Sequence, residues 1–220
     1  MVDILDEARE ELKKEQAAAL AKKYGVYVAA ALILLIIGVV GWQAWQRHQL
    51  EAASEASRDY FAALELMQGG KTAEAAAKLE VLAKNAPSGF AAASSMLLAS
   101  RAVTENKTDE AITAYRKIAD DHGKDKAFRE LASLMAVHLA IEHGKADDKT
   151  VAELKDLTGT HGVWRFSALE LLGLYQLQQK QYAEAKESFT AISTDPNTPG
   201  QMRQRAGDML LSISMQEEKK

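Results

Sequence analysis

The side chains able to do acid–base or metal chemistry are few and scattered. His48, His122, His138, His143 and His161 are the five histidines. Only His138 and His143 share a predicted helix, and a separation of five residues is a poor fit for two ligands on one face. Ordinary surface or half-buried imidazoles are the plainer reading, and no metal site is expected. Asp120-Asp121 and Asp147-Asp148 are adjacent acids in predicted turns. A calcium loop alternates oxygen ligands over about a dozen residues and closes on a Glu, so these pairs read as solvated turns and helix caps. G-x-S-x-G, H-E-x-x-H and a phosphate-cradling glycine loop are all missing, and Gly69-Gly70 is a lone pair at a helix hairpin. Zero Cys excludes disulfides, thiolate metal sites, a cysteine nucleophile and a lipidated N-terminal cysteine. No catalytic constellation is present, so the chain reads as a non-enzyme without cofactor or small-molecule substrate.

With chemistry set aside, the elements themselves carry the information. Ala, Leu, Glu, Lys and Gln recur along 220 residues that contain only 3 Pro, so intrinsic propensity favours helix nearly everywhere and no strand pattern stands out. Residues 46–220 carry 22 Lys and Arg against 25 Asp and Glu, mixed in sign and without a basic block. That charge pattern lacks the signature of phosphate binding, and nucleic acid is not an expected partner.

One stretch departs from this polar average. "YGVYVAAALILLIIGVVGWQAW" and the Gln after it, residues 24–46, contain no charged side chain. As a helix it covers roughly 34 Å against a hydrocarbon core of about 30 Å, enough to cross with some tilt. A buried globular helix of this length would carry a polar face. A cleaved signal peptide has a short basic start, an apolar part of about 7 to 15 residues and a nearby small-x-small site; here the apolar part is longer and follows 23 residues rich in both signs. An uncleaved transmembrane helix is the expectation. Tyr24 and Tyr27 at one end, and Trp42 and Trp45 at the other, are its membrane-interface residues, amphipathic rings placed where the lipid bilayer meets water.

Arg9, Lys13, Lys14, Lys22 and Lys23 precede the span, whereas only Arg47 and Arg58 lie within twenty residues after it. The positive-inside rule therefore puts the N-terminus in the cytoplasm and exports the rest. The exported side is the periplasm of a bacterium or the lumen of a eukaryotic type II protein, and the absence of cysteine favours the bacterial inner membrane. Residues 1–23 read as a cytoplasmic lead helix, with Leu5, Ala8, Leu12 and Ala19 at near-helical spacing and a Glu10–Lys14 pair.

Residues 47–220 repeat. Glu74-Ala75, Glu110-Ala111 and Glu184-Ala185 are separated by 36 and then 74 residues; five after each Glu come Leu79, Tyr115 and Phe189, and eight after come Leu82, Ile118 and Ile192. Between the second and third copies, "GKADDKTVAELKDLTGTHG" fills the empty slot with Lys149, Leu154 and Leu157. A further helix precedes each, over residues 46–67, 89–104, 127–143 and 164–178. Such hairpins bury their apolar faces only by stacking, which predicts an α-solenoid. "GQMRQRAGDMLLSIS" ends the array as a capping helix with Met202, Ala206, Met209, Leu210 and Ile213 on one side.

The pattern resembles the tetratricopeptide repeat. Small residues Ala63, Ala99 and Gly173 stand twelve before Ala75, Ala111 and Ala185, and Pro87 follows the first repeat where that family often places proline. The aromatic usual at the start of the first helix is missing, and the third repeat lacks the Ala. The whole layout, from "KKYG" through "GWQAWQRHQ" and "EAASEASRDYFAAL" to "GVWRFSALELLGLYQLQQKQYAEA", resembles the bacterial ancillary SecYEG translocon subunit family, also called YfgM-like. That resemblance implies an inner-membrane protein whose periplasmic repeat domain attends the SecYEG translocon and periplasmic chaperones. A membrane-anchored scaffold for cell-envelope or cell-division assembly would share the same layout. Repeat phasing places Tyr60, Leu64, Met67, Met96, Val103, Leu174 and Leu177 on the concave side of the first helices. They either pack internally or line a groove that receives a partner segment, with methionine supplying adaptable contact.

Overall fold

The structure is a computed structural model. It describes residues 3–121, 125–159 and 162–217, with the side chains of 3–21, 25, 26, 28, 29, 31, 32 and 217 outside the description. Among the described residues there are nine α-helices and no strand: α1 (Asp3–Gln68), α2 (Thr72–Asn85), α3 (Ser88–Thr104), α4 (Thr108–Ala119), α5 (Lys126–Glu142), α6 (Asp148–Leu157), α7 (Arg165–Gln178), α8 (Tyr182–Thr194) and α9 (Gly200–Glu217). The chain divides into two units, Met1–Ala52 and Ala53–Lys220.

Within Ala53–Lys220 each hairpin turns in the same way. The residues that leave the helical path are Gly70, Asn106, Gly144 and Lys180, all with φ between 59° and 75°. In every case the next residue's N–H reaches back across the turn, from Lys71 to Leu66, Lys107 to Ala102, Lys145 to Ala140 and Gln181 to Gln176, at 2.7–2.8 Å. These bonds satisfy carbonyls that the helix end would otherwise leave open. Glycine adopts the left-handed conformation without penalty and asparagine tolerates it, but lysine does not.

After the turn, the second helix closes on the first through small residues. Ala63, Ala75, Ala99, Ala111 and Ala185 are each at most 1% exposed. The bulky residues four positions on, Leu79, Tyr115 and Phe189, are buried against the neighbouring helices. Gly173 is the extreme case, since a Cβ there would lie 2.8 Å from the Phe189 ring. The third repeat obeys the same rule by different means. Its turn, residues 143–147, is two residues longer than the turns at 69–71, 105–107 and 179–181, so the small residue on the first helix is Ala136, fully buried. Thr150 takes the alanine position on α6 and is 1% exposed.

Three apolar clusters follow along the array. Ala99, Ala111, Tyr115 and Ile118 meet Ala132, Ala136, Leu139 and Ala140 of α5. Leu134, Val137 and Ile141, also on α5, meet Leu154, Ala168 and Leu172. Leu169, Ala185, Phe189 and Ile192 meet Ala206 and Ile213 of α9. As the pattern of "GQMRQRAGDMLLSIS" predicts, α9 lays Met202, Met209 and Leu210 against that last cluster.

The described residues of the unit Met1–Ala52 all lie in α1. Among the described residues no helix is long and apolar enough to cross a membrane. The stretch 24–46 predicted to do so includes 25, 26, 28, 29, 31 and 32, whose side chains lie outside the described residues, as do those of the predicted lead helix up to residue 21.

Two substitutions test the repeat geometry. Lys180→Gly relieves the left-handed strain and should raise stability by about 1 kcal/mol, whereas Gln181→Gly, at φ −86°, should lower it; thermal melts followed by circular dichroism compare them. Gly173→Ala, ordinarily favourable in a helix, should instead cost about 1–3 kcal/mol by overpacking Phe189, and Phe189→Leu on the same chain should recover most of the loss.

Candidate interaction surface

The seven residues predicted to face a concave groove occupy different surroundings. Tyr60 is half-buried, its ring 6.1 Å from Phe90 and 6.2 Å from Phe61. Leu64 and Met67 are also half-buried, and Met67 borders a cavity of about 260 Å³ with Ala75, Leu79, Leu97 and Leu98. Met96 and Val103 pack against the cluster shared by α3, α4 and α5. Leu177 packs against the cluster of α7, α8 and α9, while Leu174 stands 42% exposed. The structure thus brings Met96 and Val103 to one cluster and Leu177 to another. On the helix between them in sequence, α5, Val137 and Ala140 are buried, and from Leu131 onward the residues that are not buried form a stripe through Leu131, Met135, His138 and Glu142. His138 Nε2 lies 3.9 Å from Glu142.

The predicted membrane-interface residues Tyr24, Tyr27, Trp42 and Trp45 are all exposed. Trp42 and Trp45 stack at 5.2 Å in a tilted pair, and Lys23 Nζ sits 5.4 Å from the Tyr24 ring centre. Ile33 to Ile37, Val39 and Val40 are exposed as well. Phe61 and Val81 are exposed apolar residues with charged residues near them in sequence.

Polar contacts tie the repeats together and were hidden in the sequence. Arg116 Nη2 of α4 donates to the Thr150 hydroxyl at 3.0 Å, and that hydroxyl donates to Asp147 at 2.6 Å. Asp147 also accepts from the Thr150 N–H; the Thr150 hydroxyl and N–H together hold its carboxyl below the usual aspartate range. Ser133 of α5 donates to Glu153 of α6 at 2.5 Å, with Arg116 3.7 Å from the other carboxylate oxygen. Trp164 Nε1 donates to the Ala127 carbonyl at 2.8 Å and the Val163 N–H to Glu130 at 3.2 Å, joining the start of α7 to α5. The capping helix is held by Arg205, which grips Glu170 with two bonds of 2.7 and 2.9 Å, and by Arg203, which donates to the carbonyls of Asp195, Pro196 and Thr198. Arg165 closes this corner on Asp195 at 2.6 Å. Among the described residues no group of three or more His, Asp or Glu is placed to hold a metal ion.

A solenoid of helix hairpins with small residues at each crossing matches one known class. The family model described as "Tetratricopeptide repeat-like domain" matches residues 19–206. The chain belongs to this family. No curated protein and no solved structure matches it. A tetratricopeptide repeat-like domain is typically a non-enzymatic protein–protein interaction scaffold, so the surface of this array, rather than any enclosed site, is where its function is sought.

The corner at Asp195 makes the capping helix sensitive to acid. Its carboxyl is held below the ordinary aspartate value, first by the Arg165 guanidinium and then by the Asn197 N–H. The stabilisation is therefore complete above the unfolded pKa of about 4 and is lost as pH falls through the lower folded value. Asp195→Asn should melt below the unaltered protein at pH 7, and the gap between the two melting temperatures should close as pH is lowered towards 3.

Proposed function

We propose that the chain is a non-enzymatic scaffold anchored in the bacterial inner membrane. Residues 24–46 span the bilayer, residues 1–23 remain in the cytoplasm, and the repeat domain faces the periplasm. There it serves as an accessory subunit of the SecYEG translocon and binds chaperones or translocating chains. The observation that carries the anchoring is the run Ile33–Ile37, five consecutive large apolar side chains all exposed. Successive residues of a helix point about 100° apart, so this run displays apolar surface around its whole circumference. A single partner groove covers one face; lipid covers all of them. The family match begins at residue 19 and so includes the apolar stretch, which fits one anchored unit and not a repeat domain with an unrelated leader. The translocon assignment rests on the resemblance of the whole layout to the ancillary SecYEG subunit family.

The topology is tested by adding protease to intact spheroplasts. Digestion of residues 47–220 with protection of residues 1–23 is expected; protection of the carboxyl portion overturns the reading. Photocrosslinkers at Trp42, Met67 and Leu174 in living cells should capture translocon subunits or periplasmic chaperones, whereas capture of wall-synthesis proteins would move the scaffold to envelope assembly. Met67→Ala and Leu174→Ala should weaken that capture severalfold while leaving helical content unchanged and stability within about 1 kcal/mol of the starting protein, because neither side chain is fully buried.

A further inference from the structure

The second helices of the four repeats are not equally secured. Four buried side chains hold α2, four hold α4 and four hold α8, but only Thr150 and Leu154 are buried on α6. This helix is also the shortest, with 10 residues, and it ends at Leu157, so the second apolar position falls at its last residue and stays half-exposed. Clefts lie on both of its sides. One of about 540 Å³ opens towards α4 and α5 past Arg116, Ser133 and Glu153; the other, about 480 Å³, opens towards α7 and α8 past Val151, Tyr175 and Glu184. Much of what does hold α6 is polar: Arg116 to Thr150, Ser133 to Glu153, and the Asp147 cap. Water can replace each of those bonds at small net cost.

We infer that α6 is a latch, opening locally while the helices on either side stay folded and uncovering the apolar seam of Leu134, Val137, Ile141, Ala168 and Leu172. The longer turn at 143–147 gives the helix slack to move. The neighbours need not follow, because α5 and α7 touch each other directly and are stapled by the Trp164–Ala127 and Val163–Glu130 hydrogen bonds. Local openings of this kind arise where buried apolar contact is least. The latch is a property of the repeat domain and does not depend on the membrane reading.

Hydrogen exchange on the full chain in mild detergent tests it. Amides of α6 should exchange at least about tenfold faster than those of α4 and α8, with a weaker dependence on urea than global unfolding. Because the chain has no cysteine, single thiols at equivalent crossings give a second reading. Thr150→Cys should react with a maleimide in native buffer at least about tenfold faster than Ala111→Cys or Ala185→Cys, with unchanged helical content. Exchange in the unsubstituted chain decides if the two disagree, since Thr150→Cys also removes the hydroxyl bonds. Equal protection of α6, α4 and α8 overturns the latch, as does exchange of α6 only through global unfolding.

Discussion

The fold depends on one pattern repeated four times: a small, buried side chain on each helix of a hairpin. Ala63 and Ala75, Ala99 and Ala111, Ala136 and Thr150, and Gly173 and Ala185 hold these positions, and every one of these residues is buried. Close approach at that point makes room beyond it for a bulky residue to reach the next hairpin. Where the bulky residue is the Phe189 ring, the partner shrinks to glycine and the conformational cost of glycine in a helix is offset by the fit. Stacking then follows from burial: each hairpin has an apolar face that only its neighbour covers.

The central helix shows what stacking does to a repeat. Helix α5 contributes Ala132, Ala136, Leu139 and Ala140 to one cluster and Leu134, Val137 and Ile141 to the next. Being shared, from Leu131 onward it retains only the Leu131, Met135, His138 and Glu142 stripe for solvent. A repeat in the middle of a short array therefore has little side-chain surface left for partners. The end repeats keep more, which is why Tyr60, Met67 and Leu174 remain accessible while their counterparts on α5 do not.

Much of this was legible in the sequence. The spacing of Glu-Ala pairs and of Leu79, Tyr115 and Phe189 locates the second helices, because burial at a crossing is written directly into residue size. Gly70 and Gly144 mark their turns for a different reason, the left-handed backbone that glycine adopts freely. Asn106 and Lys180 occupy the same left-handed positions without the glycine signal, so the uniform turn emerges only from backbone geometry. The third repeat is readable only in part: a turn two residues longer shifts the small partner to Ala136, and Thr150 satisfies its hydroxyl through Arg116 and Asp147, which lie 34 and 3 residues away. A contact across 34 residues, like that with Arg116, leaves no local periodicity. The concave residues were harder still, since phasing gives a face of a helix but not what packs against that face; Met96 and Leu177 serve separate cores.

Exposed apolar surface has two different meanings in this chain. Phe61 and Val81 are exposed with Arg58, Glu65, Lys78 and Lys84 close in sequence, the ordinary condition of a protein surface. From Ile33 to Trp45 the exposed residues succeed one another without a charged neighbour and close the circle around the helix. A single groove covers one face of a helix, not its circumference. Two glycines within that run, Gly38 and Gly41, have open space where a Cβ would stand, with no described atom within 4 Å. In water each of the large side chains there would forgo roughly 1.5–3 kcal/mol of burial, a cost that grows with every residue added to the run. The array of hairpins removes its apolar faces from water by stacking; for the run, under the proposed reading, the bilayer does the same.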